Sequence, residues 1–101
     1  MAVYVISDVA PVNQEAFSIY KTHAASSIAK YGGRYIVRGG EIKTLEGSWD
    51  PTALVIVEFP TAEQARIWYK SPEYAVALAI RDSALSRNLI LVRGVEDSGH
   101  L

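Results

Sequence analysis

Tyr20 and His23 are the residues of this 101-residue sequence best placed for proton transfer. They are three positions apart on a predicted helix, which makes them neighbours on its surface. Histidine titrates near neutral pH, and a neutral imidazole beside a phenol can take a proton from a phenolic or enolic substrate. We therefore predict Tyr20 and His23 as catalytic residues. The alternative is that His23 only packs at the border of the core. The second histidine, His100, falls in the C-terminal tail.

Aromatic residues concentrate where the second helical region restarts, at Trp68, Tyr69 and Tyr74. Such side chains commonly pack in a core, but their polar tips also line pockets for small molecules. Arg81 shares a predicted helix face with Tyr74, which would bury part of its guanidinium and require an anionic partner. We predict that Trp68, Tyr69 and Arg81 bind a ligand, with core packing as the alternative for the aromatic pair.

Two glycine pairs flank the segment YGGRYIVRGG, residues 31–40, which carries Arg34 and Arg38. The glycines neither follow the dinucleotide-binding pattern nor lead into a helix, so they indicate turns and not a phosphate loop. Both arginines share one strand parity and lie about 13 Å apart, so one carboxylate cannot bind both. Glu58 would face one of them in a hairpin. The sequence leaves open whether Arg38 and Glu58 form a structural ion pair or a ligand site.

The composition argues against several classes of function. With two histidines and no cysteine there is no recognisable set of metal ligands, and we expect no metal and no cofactor. The net charge is −1 and the basic residues are scattered, so neither nucleic acid nor an anionic membrane is an expected partner. No leader sequence and no apolar run of roughly 20 residues is present. We expect a cytoplasmic protein.

The hydrophobic pattern predicts an α+β domain over residues 1–95, followed by a tail at residues 96–101. The predicted strands are residues 2–9, 33–39, 53–59 and 88–94, and residues 41–45 resume a strand beyond a bulge at Gly39-Gly40. Helices begin after the capping residues Asn13, Thr61 and Ser71. This order is βαββαβ, the ferredoxin-like plan, with a four-stranded antiparallel sheet and helices on one face.

The first, third and last strands are apolar on both faces, which is unusual for a sheet covered on one side only. Leaving about seven large side chains in water would cost on the order of 10 kcal/mol. RNA-recognition domains share this strand order but stack bases on aromatic residues. Leu54 and Ile56 occupy those positions here. The open face therefore favours packing against another sheet in a homodimer.

Several segments resemble the domain-of-unknown-function family 1330 of the dimeric α+β barrel superfamily. They are GGRYIVRGG, TLEGSW with Pro51, VIVEFPTAEQARIWYKSPEY, Arg81 and the closing LVRG. The resemblance implies that two ferredoxin-like protomers pack sheet to sheet. It implies no particular reaction, although distant members of the superfamily include cofactor-free monooxygenases.

We therefore expect a small homodimeric protein that binds or transforms a small metabolite in a pocket between helices and sheet. One alternative is a non-catalytic dimeric interaction module. Another is a cofactor-free, monooxygenase-like or isomerase-like enzyme. Because a module would fill the space between helices and sheet with apolar side chains, the volume of that space distinguishes the first two.

Overall fold

The structure, a computed structural model, describes residues 1–95, so the predicted tail at 96–101, including His100, lies outside the described residues. The elements in chain order are β1 (Val3–Pro11), α1 (Gln14–Lys30), β2 (Arg34–Arg38), β3 (Leu54–Phe59), α2 (Ala62–Tyr69), α3 (Pro72–Ala84) and β4 (Leu85–Arg93). None of these helices combines the length and apolar character needed to cross a membrane.

The four strands form one antiparallel sheet in the order β2-β3-β1-β4, which confirms the predicted α+β fold. Along β1, buried residues alternate with less buried ones: Val3, Val5, Ser7 and Val9 are buried. We call this buried side, against which the helices pack, the helix face. The opposite side is the open face, and its apolar residues are Tyr4, Ile6, Leu54, Ile56, Ile90 and Val92.

Each helix begins at the capping residue that the sequence predicts. Asn13, Thr61 and Ser71 are extended, and their side chains accept hydrogen bonds from backbone amides three residues further on. Helix α1 ends before Gly32, whose φ of +84° suits glycine. The buried residues of α1 are Tyr20, Ala24, Ser27 and Ile28.

A β-bulge between Tyr35 and Val37 changes the direction of the second half of β2. Arg34 pairs with Glu58 on the open face, whereas Arg38 pairs with Val55 on the helix face. The prediction that the two arginines point the same way is therefore wrong. The bulge was expected at Gly39-Gly40, but it lies three residues earlier.

Residues 39–53 form a long connection between β2 and β3, which we call the arm. Residues 41–45 are not a strand, contrary to prediction, because no neighbouring strand pairs with them. Leu45 and Trp49 on the arm are 96% and 65% exposed.

Strand β4 follows α3 without a connecting turn and begins at Leu85, three residues before the predicted start. The early start adds Arg87 to the strand. Because Arg87 pairs with Val9 of β1, its side chain points to the helix face. This placement brings the guanidinium of Arg87 into the candidate site described below.

Candidate ligand-binding cavity

A cavity of about 690 Å³ lies between α1 and the helix face of the sheet. Its floor is formed by β-strand residues that include Val5, Ser7 and Val57. Helix α1 contributes Tyr20 and Ile28 to the opposite wall. The volume falls within the range of ordinary small-molecule pockets.

Arg87 and two tyrosines form a polar cluster in the wall of this apolar cavity. The Nη1 of Arg87 donates to the hydroxyl of Tyr20, and Nη2 donates to the hydroxyl of Tyr74 at 2.7 Å. The two hydroxyl oxygens lie 2.9 Å apart and share a hydrogen bond. No acidic residue of the described chain forms a salt bridge with Arg87. The cluster therefore carries a positive charge that no carboxylate among residues 1–95 balances.

The hydrogen-bond donors that this cluster leaves unused favour an acceptor supplied by a ligand. A guanidinium has five N–H donors, and Arg87 uses two of them on the tyrosines. One tyrosine hydroxyl donates to the other, so the second hydroxyl retains a free hydrogen. The cluster thus offers up to three N–H groups and one O–H group. Carboxylates and other oxyanions satisfy such a set best.

Burial raises the pKa of Tyr20, and the neighbouring Tyr74 raises it further, more than Arg87 lowers it. Tyr20 is therefore a neutral phenol at physiological pH and serves as a hydrogen-bond donor or acceptor. Burial alone would lower the pKa of Arg87, but contact with both phenols outweighs this and raises it. The guanidinium stays charged at any physiological pH.

Trp68, for which the sequence predicts a ligand-binding role, lines the cavity. Its indole Nε1 donates to the hydroxyl of Ser27 at 3.0 Å, and that hydroxyl donates to the carbonyl of Ala24 at 2.8 Å. The ring centroid lies 4.2 Å from that of Tyr74. These contacts fix the indole against Tyr74, whose hydroxyl in turn binds Arg87. Tyr69 is 41% exposed and lines a smaller neighbouring depression.

The cavity opens to solvent where its lining residues are exposed, on α1 and at the end of β2, and we call this opening the mouth. Arg38 lies here, with its guanidinium carbon 4.2 Å from the ring centroid of Tyr35. The Nζ of Lys21 lies 4.8 Å from the centroid of Phe17. Both cations therefore rest on aromatic rings that line the entrance.

Four of the predicted site residues do not line this cavity: Tyr69, which lines the neighbouring depression, and His23, Arg81 and Glu58. His23 is exposed on α1 and does not line it, so the structure does not bring His23 and Tyr20 to a common cavity. Arg81 lies beside Asp82, with 3.3 Å between Nε and Oδ1, and borders a separate shallow depression. Within residues 1–95 no group of three or more acidic or histidine side chains is arranged to hold a metal ion.

Glu58 lies on the open face and is bound by residues of two neighbouring strands. It accepts a hydrogen bond from Arg34 Nε at 2.8 Å and one from the Tyr4 hydroxyl at 3.1 Å. These two bonds lower the pKa of the Glu58 carboxyl. Arg34, and not Arg38, is thus the ion-pair partner, and Glu58 belongs to the open face and not to the cavity.

Sequence analysis did not identify Arg87 as a site residue, because the predicted strand began one position after it. Arg87 shares strand parity with Leu89 and Leu91, so an earlier start would have placed all three on one face. Tyr74 was recognised only as part of an aromatic group.

The family model for the domain of unknown function DUF1330 matches residues 2–95. The protein belongs to the DUF1330 family. A search of curated proteins found no match. The family assignment confirms the resemblance seen in the sequence, and the family description names no activity.

Solved structures similar to this DUF1330 protein share its fold at low sequence identity. RPA0582 of Rhodopseudomonas palustris, a protein of unknown function, aligns with a TM-score of 0.77 and 18% identity, over 94% of this chain and 83% of its own. SnoaB, a cofactor-independent oxygenase from Streptomyces nogalater, aligns with a TM-score of 0.68 and 10% identity, over 94% of both chains. A dimeric, ferredoxin-like protein of unknown function from Bacteroides fragilis aligns with a TM-score of 0.58 and 18% identity, over 92% of this chain and 96% of its own.

Proposed function

We propose that this DUF1330 protein binds a planar, largely apolar small molecule through an oxyanion that contacts Arg87. The observation that carries the proposal is the guanidinium of Arg87, which has no acidic partner in the described part of the chain and borders a cavity of about 690 Å³ together with two tyrosine hydroxyls. A buried cation is costly unless an anion approaches it. An anionic ligand would remove that cost.

The walls of the cavity support a flat ligand body. Apolar strand residues form its floor, and the indole of Trp68 forms a rigid aromatic surface at the inner end. A non-catalytic interaction module would gain stability by filling this space with side chains, so an open cavity of this size favours ligand binding.

Calorimetric titration of the purified protein with para-phenylbenzoate tests this proposal. We expect measurable binding of the carboxylate and at least about tenfold weaker binding of the neutral carboxamide of the same shape, because charged hydrogen bonds contribute about 1.5–3 kcal/mol. Arg87→Met should weaken carboxylate binding by a similar factor while leaving the amide unchanged. Equal binding of acid and amide by the wild-type protein would contradict the proposal.

A second candidate function is cofactor-independent oxygenation of a phenol. Arg87 and its tyrosine partners would stabilise the substrate as a phenolate, and His23 is not positioned to act as the base. The similar fold of SnoaB adds support. In such a reaction one atom of dioxygen becomes a carbonyl oxygen in place of the hydrogen of a ring C–H, which gives a quinone. The other oxygen atom leaves as water, together with the hydrogen from that ring carbon and the phenolic hydrogen. Oxygen uptake with naphthol, compared between the wild type and Arg87→Met, tests this candidate, and equal uptake would exclude it.

We also propose that the partner of this chain is a second copy packed against the open face. Support comes from its apolar residues, among them the partly exposed Ile56 and the 56%-exposed Ile90, and from the exposed Leu45 and Trp49 of the arm. The structural neighbour from Bacteroides fragilis is described as dimeric. Light scattering should give about twice the chain mass of 11.1 kDa. A stable monomer at micromolar concentration would contradict this proposal.

A further inference from the structure

The cavity contains a second positive region at its mouth, which binding at Arg87 does not use. The charged residues of its lining are Lys21, Arg38 and Arg87, and no described Asp or Glu lines it. This is an unusual concentration of one sign in a chain whose net charge is −1. Neither Lys21 nor Arg38 forms a salt bridge with a described acidic residue. The whole lining therefore attracts negative charge.

The two arginines of this lining occupy opposite edges of the sheet. Arg38 is on β2 and Arg87 on β4, which are the outer strands in the order β2-β3-β1-β4. Three strand spacings and an offset of two residues along the strands separate them, which corresponds to about 16 Å between their backbones. Arg38 pairs with Val55, and Val55 in turn pairs with Ser7. Both arginines thus point to the helix face from positions too far apart for one small anion to contact both.

The surface between the two arginines is mostly apolar, with one polar group. Val55 and Leu89 lie on either side of Ser7 in the same row across the sheet. Ser7 is only 5% exposed, and it lines the cavity floor. Arg87 pairs with Val9, two residues further along the strands, so a ligand that extends from Arg38 to Arg87 would cross this row diagonally, over apolar side chains and the single hydroxyl of Ser7.

On the basis of the function proposed above, we infer that the ligand is an elongated dianion. It has a rigid, apolar or aromatic body and an acidic oxygen group at each end. The inner group contacts Arg87 and the tyrosine hydroxyls. The outer group contacts Arg38, whose position over Tyr35 leaves its N–H edges free for a carboxylate, with Lys21 nearby.

A pair of probes of matched shape but different charge tests this inference by calorimetry. The first is para,para′-biphenyl dicarboxylate, and the second is its monoamide, which has the same shape and one charge fewer. We expect the wild-type protein to bind the dicarboxylate at least about tenfold more tightly than the monoamide, which corresponds to about 1.4 kcal/mol. Arg38→Gln should remove this preference and leave monoamide binding within about twofold of wild type.

Arg93→Gln provides the matched control, because Arg93 is exposed at the far end of β4 and does not line the cavity. It should keep the preference for the dicarboxylate, and circular dichroism should show that both variants are folded. If the wild-type protein binds both probes equally, or if Arg38→Gln weakens both by the same factor, the dianion inference is wrong while the binding role of Arg87 stands. If neither probe binds, both proposals fail.

Discussion

Replacing Arg87 with methionine should weaken oxyanion binding at least about tenfold and change the stability of the ligand-free protein little. The substitution keeps an unbranched apolar stem of similar length but removes the charge and its N–H donors. In the structure these donors bind the hydroxyls of Tyr20 and Tyr74. The two tyrosines also bind each other at 2.9 Å, so they retain a hydrogen bond when the arginine is removed.

The expected stability change is a difference between two opposing effects. Losing two hydrogen bonds from a charged donor costs about 3–6 kcal/mol, because each is worth about 1.5–3 kcal/mol. Removing a half-buried cation that has no acidic partner among residues 1–95 recovers a desolvation cost of several kcal/mol, less what water in the open cavity already provides. We therefore expect the free energy of unfolding to stay within about 2 kcal/mol of the wild-type value.

Urea unfolding followed by tryptophan fluorescence measures this difference, with both proteins at the same concentration because association affects apparent stability. Arg87→Lys serves as a control that keeps the charge but loses the fork of donors. A loss of more than about 3 kcal/mol in Arg87→Met would refute the reasoning, because the two hydrogen bonds would then outweigh the recovered desolvation cost. Arg87 would then be a structural link between α1 and α3.

Two further predictions concern the surface. Ile56 pairs with Ile6 on the open face, so Ile56→Glu should give monomeric or aggregated protein in light scattering, and an intact dimer would contradict sheet-to-sheet packing. Contact with Lys30 and with Tyr31 lowers the pKa of Glu73 to about 2 from an ordinary 4.5. Because the folded pKa is the lower one, this stabilisation is complete above about pH 4.5 and is lost as the pH falls towards 2. Glu73→Gln should therefore lower the urea midpoint at about pH 6 by much more than at about pH 2, and a constant difference would contradict the assignment.

Helix starts and the fold class could be predicted from the sequence because local rules determine them. Asn13, Thr61 and Ser71 cap helices through hydrogen bonds to residues three positions away, which a local pattern reveals. The family resemblance likewise rests on contiguous segments of the chain.

The candidate site depended on features that no local signal reveals. The bulge beside Ile36 carries no glycine or proline, yet it decides that Arg38 faces the cavity while Arg34 binds Glu58. Arg87 entered the sheet because α3 continues directly into β4 without a turn residue. Helical spacing placed His23 near Tyr20, but the rotation of α1 against the sheet leaves His23 exposed.

A crystal structure of the protein with para-phenylbenzoate bound would test the central claim most directly. The account predicts the aryl body between α1 and the helix face, beside Trp68. It places the carboxylate within about 3.2 Å of the guanidinium of Arg87 and of a hydroxyl of Tyr20 or Tyr74. A carboxylate bound elsewhere, with the Arg87 cluster unchanged and the cavity free of ligand, would contradict it.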